Sequence, residues 1–211
     1  MSFIVDFIEQ FSANFAGLIN LNPWEITREI PAILTGHILQ LNHNYEIENG
    51  VAIHKSAIVE KGVVLKGPVI IGENCFIGAN AYLRGGVFLG NNSNVGAGCE
   101  IKSSMIFNNS NIAHFNFIGD SIIGSNVNFE AGSITANHYN ERSDKQILVV
   151  YNSIIIETNV EKFGALVGDY SKIGANAVLS PGTILGRNSV VKRLELIDQI
   201  EKFTNKNNTK K

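Results

Sequence analysis

Cysteine, proline, tryptophan and charge are all scarce in this chain of 211 residues. The two cysteines, Cys75 and Cys99, form neither a CxxC pair nor a dense disulfide framework, so we expect small core residues in a reducing compartment. A net charge of −2 excludes a global basic field that would attract nucleic acid or anionic lipid. The sequence also lacks an apolar run long enough for a membrane span and the early Lys or Arg of a secretory signal. These absences predict a cytoplasmic protein.

Glycine is abundant, with 20 residues, and a six-residue hydrophobic period runs through the middle of the chain. A helix has a period near 3.6 and a strand a period near 2, so neither explains this one. Three six-residue units closing a triangular coil of eighteen residues, stacked at about 4.8 Å, do explain it. The sequence predicts an all-β solenoid, a parallel β-helix whose inward positions are Ile53, Val59, Leu65, Ile71, Ile77, Leu83, Leu89, Val95, Ile101, Phe107 and Ala113.

The period changes after Ala113, where two steps of five lead to Ile118 and Ile123. His114 stands just before this change. We expect the shortened steps to displace the following corners, to open a ligand space beside His114 and to free backbone N–H groups around residues 118–132 that could stabilise an oxyanion.

The ends of the chain favour helices that cover the open ends of the solenoid. Residues 1–50 are a predicted N-terminal helical segment, with Asn22 as N-cap, Pro23 at the first helical position and Glu25 completing a capping box. Residues 51–191 are the predicted β-helix, and residues 138–166 leave the period as a projecting loop that holds a possible hairpin. Residues 192–211 are a predicted C-terminal helix and polar tail.

Three cations lie eighteen residues apart, at Lys66, Arg84 and Lys102, and should stack on successive coils. Stacked cations repel, and we expect no acid at the matching step to relieve them. One interpretation is a solvated basic edge. The other is an anion site in which Arg84 and Lys102 hold a phosphate.

Three interpretations of His114 are open. The first is a surface or structural residue without a chemical role. The second is a general base that accepts a proton from an attacking amine, and the third is a ligand in a zinc site. Zinc would need two more histidines nearby, and His54 and His138 are poorly spaced for it, so no metal is expected.

The stretch "AHFNFIGDSIIGSNVNFEAGSITAN", residues 113–137, resembles the acetyltransferase domain of the bifunctional enzymes that make UDP-N-acetylglucosamine. The resemblance is strongest over residues 67–137. It implies a left-handed hexapeptide-repeat β-helix that works as a homotrimer and moves an acetyl group from acetyl-CoA to the amine of glucosamine-1-phosphate. It implies His114 as the catalytic base. It further implies substrate binding by Arg84, Lys102, Phe117, Asn128 and Lys145, and acetyl-CoA binding by Ala131, Asn137, His138 and Ala175.

Three residues depart from the family's pattern. Phe117 stands where the family has a tyrosine whose hydroxyl donates a hydrogen bond to the substrate. Ala175 replaces a serine near CoA, and Glu130 replaces a glycine. These departures leave two further interpretations open: an acyltransferase acting on a nucleotide-linked amino sugar or another small acceptor, and a non-catalytic sugar-nucleotide-binding scaffold.

Overall fold

The computed structural model describes residues 3–208, with side chains to residue 204. Within this range the chain folds as a parallel β-solenoid of about eight turns, with helices at both ends of the sequence. The predicted fold class is confirmed. Residues 1–2 and the last three residues of the predicted polar tail lie outside the described range.

Each coil passes through three flat flanks. The covered flank contains Val51–His54, Val69–Ile71, the second halves of Tyr82–Leu89 and Glu100–Ile106, Ile122–Ile123, Ala165–Val167 and Thr183–Leu185. The asparagine flank contains Ile58–Val59, Phe76–Ile77, Asn94–Val95, Asn111–Ile112, Asn128–Phe129, Lys172–Ile173 and Val190–Val191. The cation flank contains Val64–Leu65, the first halves of Tyr82–Leu89 and Glu100–Ile106, Phe117–Gly119, Ile134–Thr135, Val178–Leu179 and Leu196–Ile197. A further strand, Tyr45–Glu48, pairs antiparallel with Val51–His54.

The inner core is a file of aliphatic side chains, and it corrects the predicted register. Ile106 and Ile112 belong to this core, whereas Phe107 belongs to a second cluster and Ala113 is half-buried. The first five-residue step therefore lies between Ile101 and Ile106, because Gly85 and Gly86 on one coil face only Ser103 on the next. From there the coils shorten, and Asn94 aligns with Asn111 and Asn111 with Asn128, each seventeen residues on. The first dropped residue follows Lys102, not His114, whereas the second predicted step of five, from Ile118 to Ile123, is confirmed.

A second hydrophobic core lies outside the solenoid, on the covered flank. The helices α1 (Ile4–Phe7), α2 (Phe11–Phe15) and α3 (Pro23–Ile38), with the 3-10 turn Ala16–Leu18, pack there. The outward side chains of the flank that belong to this core are Ile70, Phe88, Met105, Ile122, Leu166 and Ile184. The prediction that the N-terminal helices close an open end was wrong, because strands apolar on both faces need a cover along their length.

Helix α3 begins as the sequence predicts. The Asn22 side chain accepts from the N3 backbone N–H, and the Glu25 carboxylate accepts from the Asn22 N–H at 2.7 Å. The helix continues through Pro31 to Ile38.

The segment 138–166 contains the predicted hairpin, with antiparallel strands Leu148–Tyr151 and Ile154–Glu157. It does not project freely. Ile147, Val149 and Phe163 are fully buried in the second core, and Tyr151 stacks on Phe3 with ring centroids 4.4 Å apart.

The C-terminal helix α4 spans Gln199–Asn208, so its predicted start at residue 192 was wrong. Val190–Val191 and Leu196–Ile197 are strands that continue the six-residue period after Leu185, with Val191 and Ile197 in the inner core. In residues 3–208, no helix combines the length and the apolar character that crossing a bilayer requires.

Candidate functional site

Arg84 and Lys102 lie at the corner where the cation flank turns into the covered flank, which we call the Lys102 corner. They are direct partners on adjacent coils, as the eighteen-residue interval predicts. The expectation that no acid relieves them was wrong. Arg84 donates to Glu100 through Nε at 2.7 Å and Nη2 at 2.6 Å, and Lys102 Nζ donates to Asp120 Oδ2 at 2.6 Å. Asp120 stands eighteen residues after Lys102, so the interval itself contained the signal.

The two ion pairs differ in exposure. The Arg84 and Glu100 side chains are 36% and 34% exposed, whereas those of Lys102 and Asp120 are 17% and 10% exposed. Exposed ion pairs contribute at most about 1 kcal/mol, so an incoming anion can take Arg84 from Glu100 at little cost. Lys102 keeps a more buried partner, which fixes the position of its ammonium group.

Tyr82 is a member of this site that the sequence did not single out. Lys66 Nζ and the Arg84 guanidinium lie 5.1 and 5.6 Å from the centre of its ring. The ring face attracts both cations and holds them on the same side of the flank. Lys66, Arg84 and Lys102 carry three positive charges here, and Glu100 and Asp120 carry two negative ones. The surface therefore has a formal charge of +1, which favours an anionic ligand.

Asn137 and His138 reach the same corner one coil further on. Asn137 Nδ2 donates to Asp120 Oδ2, and His138 Nδ1 lies 3.2 Å from Asn137 Oδ1. Asn137 is buried, and Asp120 is 7% exposed. Lys102, Asp120 and Asn137 therefore form one hydrogen-bonded unit.

His114 lies at the opposite edge of the cation flank, at the corner where the asparagine flank ends. We call this the His114 corner. The imidazole is on an exposed residue, while the backbone carbonyl accepts from Gly132 N–H at 2.9 Å and Asn116 Nδ2 at 3.2 Å. The Ala131 carbonyl in turn accepts from Asn176 N–H at 3.0 Å. His114, Ala131 and Ala175 thus occupy the same corner on three successive coils.

Glu130 changes the chemistry of this corner. Its carboxylate accepts from Arg193 Nε and Nη2, each at 2.8 Å, and from the Ala175 N–H at 2.9 Å. The Arg193 guanidinium and then the Ala175 N–H lower the pKa of the Glu130 carboxyl from its ordinary 4.5. Asn128 and Lys172 lie beside this pair in a groove of about 510 Å³.

Phe117 and Lys145 are the two other residues that the resemblance implies for substrate binding. Phe117 is half-buried on the cation flank, and Lys145 is exposed in the loop before the hairpin.

Backbone N–H groups around residues 118–132 were expected to be free. Those of Asp120, Gly124 and Gly132 donate to carbonyls of other coils. Those of Ser121 and Ser125 donate to side-chain oxygens. That expectation was wrong for these positions, because the shortened coils keep their hydrogen-bond ladders.

Both cysteines are buried, as predicted. Each Sγ contacts a backbone carbonyl, that of Gly90 for Cys75 and that of Ala113 for Cys99. Burial raises the pKa of both thiols, which keeps them protonated and unreactive.

Two domain families match the sequence. Residues 164–192 match the hexapeptide repeat of succinyl-transferase, and residues 65–160 match the GMPPB C-terminal domain. The chain therefore contains hexapeptide repeats.

Curated relatives of this hexapeptide-repeat chain include the bifunctional protein GlmU of Methanococcus vannielii, 38% identical over 85% of the chain and 44% of the relative. A bifunctional sugar-1-phosphate nucleotidylyltransferase/acetyltransferase of Sulfurisphaera tokodaii is 32% identical over 80% of the chain and 41% of the relative. The chain thus spans less than half the length of these two relatives. A solved hexapeptide transferase family protein from Anaplasma phagocytophilum shares 22% identity over 70% of this chain and 74% of its own, with a TM-score of 0.26, too loose an overlap to bear on the fold.

Within one hexapeptide-repeat chain, the residues selected from the sequence fall into two groups on either side of the cation flank. Arg84, Lys102, Asn137 and His138 gather at the Lys102 corner. His114, Ala131 and Ala175 gather at the His114 corner, with Asn128 on the adjoining flank. The expected acetyl-CoA residues are therefore divided between the two corners of a single chain.

Proposed function

We propose that this chain is an acetyltransferase that moves the acetyl group of acetyl-CoA to the amine of an amino sugar phosphate. The observation that carries the proposal is the alignment of Arg84 with Lys102 on adjacent coils, one flank away from the exposed His114. The names of the curated relatives, which include a bifunctional sugar-1-phosphate nucleotidylyltransferase/acetyltransferase, support the same chemistry.

In this proposal Arg84 and Lys102 hold the phosphate and so place the sugar amine at the His114 corner. Lys102 stays oriented by Asp120, while Arg84 exchanges Glu100 for two phosphate oxygens. Acetyl-CoA, as the co-substrate, supplies an acyl group activated as a thioester. His114 accepts the proton that the amine loses as its nitrogen bonds to the acyl carbon. The bond between that carbon and the CoA sulfur breaks, and the sulfur leaves as a thiol after it receives the proton back from His114.

The residues at the His114 corner allow a co-substrate to approach. Ala131 and Ala175 are small and half-buried, so the corner offers a shallow surface on successive coils. Glu130 already occupies the Ala175 N–H, so a co-substrate amide that used this donor would have to displace the Glu130–Arg193 pair.

We further propose a homotrimer in the cytoplasm. The division of the expected acetyl-CoA residues between two corners supports this, since a second copy could bring the missing corner to each site. The uncovered cation flank exposes the large apolar side chains Val64, Ile134 and Leu196, which favour burial against another copy.

The test is acetyl transfer to glucosamine-1-phosphate, measured as free thiol released from acetyl-CoA. His114→Ala should lose about 10²- to 10⁴-fold in rate, the usual contribution of a general base. The exposed His43, which precedes the solenoid, provides the matched control, and His43→Ala should keep the wild-type rate. Size-exclusion chromatography checks that the assembly is intact. Unchanged turnover in His114→Ala removes His114 from the role.

Arg84→Ala should raise KM for the sugar phosphate by about 10- to 100-fold, the range for a lost hydrogen bond to a charged group, with little change in kcat. An effect confined to the KM of acetyl-CoA would contradict the phosphate assignment. Acetyl-CoA should also raise the melting temperature of the wild-type chain, whereas a non-catalytic scaffold would show no such shift.

A further inference from the structure

A cleft of about 410 Å³ opens at the Lys102 corner on the side away from His114. Its floor contains Ser103, which directly follows Lys102, and Asp120, which holds the Lys102 ammonium group. Thr27, Arg28 and Pro31 of α3 form one wall. The segment 159–162, which leads from the hairpin back to the solenoid, forms the other.

We propose that this cleft receives the nucleoside diphosphate part of the acceptor, so that the acceptor is a nucleotide-linked amino sugar. The inference rests on the proposed function for the sugar end of the site. It adds residues from α3 and from the segment 159–162, none of which lies on the cation flank.

The charges around the cleft favour a second phosphate. Arg28 is exposed, and its ion pair is with its neighbour Glu29, at 3.0 Å between two exposed side chains, which holds it only weakly. Lys162 is exposed on the opposite wall. The acids facing the cleft are Asp120, already bonded to Lys102 and Asn137, and the exposed Glu161. Arg28 and Lys162 can therefore converge on an anion that lies past Lys102.

The walls favour a nucleobase over a second phosphate alone. Pro31 and Val160 offer apolar surface, and Ser103 offers a hydroxyl group. The Thr27 hydroxyl is buried and donates to the Trp24 carbonyl at 3.2 Å, so Thr27 only closes the wall. The cleft volume lies within the range of roughly 300–1,000 Å³ found for small-molecule sites, and mostly apolar walls with a few polar groups are typical of such sites.

The position of the cleft matches the direction in which the acceptor would extend. Lys102 aligns with Gly119, five residues after His114, so the two corners are at most about 17 Å apart along the flank. A sugar amine at His114 and a phosphate at Arg84 and Lys102 set a line across the cation flank. The next part of the same molecule, past the phosphate, enters the cleft.

The test is calorimetric titration of the full chain, without acetyl-CoA, with UDP, GDP, inorganic pyrophosphate and glucosamine-1-phosphate as probes. UDP or GDP should bind the wild-type chain more tightly than pyrophosphate. The double variant Arg28→Ala/Lys162→Ala should weaken nucleotide binding by at least about tenfold, a change of about 1.4 kcal/mol. It should leave the affinity for glucosamine-1-phosphate unchanged.

The matched control is Lys55→Ala/Lys61→Ala, which removes two exposed cations from the solenoid away from the cleft and changes the net charge equally. This control should bind UDP and GDP like the wild type. Pyrophosphate binding as tightly as both nucleotides, or equal nucleotide affinity in the cleft double variant and the wild type, would overturn the proposal.

The two proposals fail separately. His114→Ala should bind nucleotide normally, because the cleft does not include this corner. Absence of acetyl transfer in a wild-type chain that binds nucleotide normally would speak against the proposed reaction only. Normal acetyl transfer to glucosamine-1-phosphate in a wild-type chain that binds neither nucleotide would speak against the cleft only.

Discussion

Gly86→Ala should detach α3 from the solenoid corner that it covers. Gly86 has φ +91°, and a Cβ built there would overlap Ile30 Cγ2 and lie 3.2 Å from the Pro31 nitrogen. The left-handed conformation costs alanine roughly 1–2 kcal/mol, and overpacking against a buried helix costs roughly 1–3 kcal/mol. The free energy of unfolding should therefore fall by about 2–5 kcal/mol.

Trp24 makes the effect measurable, because it is the only tryptophan in the chain, lies in α3 and is 4% exposed. Its fluorescence in a urea titration follows the helix, while far-UV circular dichroism follows the strands. Gly36→Ala is the matched control, since a Cβ there meets no atom within 4 Å and Gly36 is inside the same helix. This control should stabilise by roughly 0.5–1 kcal/mol. If Gly86→Ala unfolds at the wild-type urea concentration, the contact between α3 and the corner is wrong.

Two further predictions concern the second core and the His114 corner. Phe107→Ala should lower the free energy of unfolding by about 3–5 kcal/mol in the same urea assay, because Phe107 is fully buried against Phe11 and Phe88, and a loss below 1 kcal/mol would refute that packing. Glu130 should titrate by NMR with a midpoint below 4.5, and the stability that it adds is present above the unfolded pKa and lost as pH falls through the depressed folded value. Arg193→Ala should raise that midpoint, and an unchanged midpoint would exclude the ion pair as the cause.

The solenoid could be predicted because its inward residues repeat at fixed intervals, a property that sequence displays directly. The error in register arose at Ile106 and Phe107, which are adjacent and both apolar. Periodicity cannot tell which of two such residues faces inward. The structure buries both, Ile106 inside the coil and Phe107 beneath the N-terminal helices. The outward apolar residues of the covered flank were the available signal that a cover lies along it.

The candidate site could be predicted only in part. The stacking of Arg84 on Lys102 follows from coil length, and Asp120 lies at the same interval, so that pairing was within reach. The pairing of Arg84 with Glu100 could not be predicted from this interval, because Glu100 lies sixteen residues after Arg84 and reaches it through the length of its side chain. The cleft could not be predicted either, because α3 and the segment 159–162 meet there through tertiary packing, which no local sequence pattern indicates.

The helical cover on one flank alters how the solenoid holds together. Coils in such folds ordinarily contact only their immediate neighbours, so stability accumulates from one repeat to the next and the ends can fray independently. Here the helices and the segment 138–166 share one hydrophobic core with outward residues from Ile70 to Ile184, and Glu9 pairs with Arg187 across 178 residues of sequence. Coils that never touch each other are thereby coupled, and the molecule gains long-range cooperativity that its repeats alone would not provide.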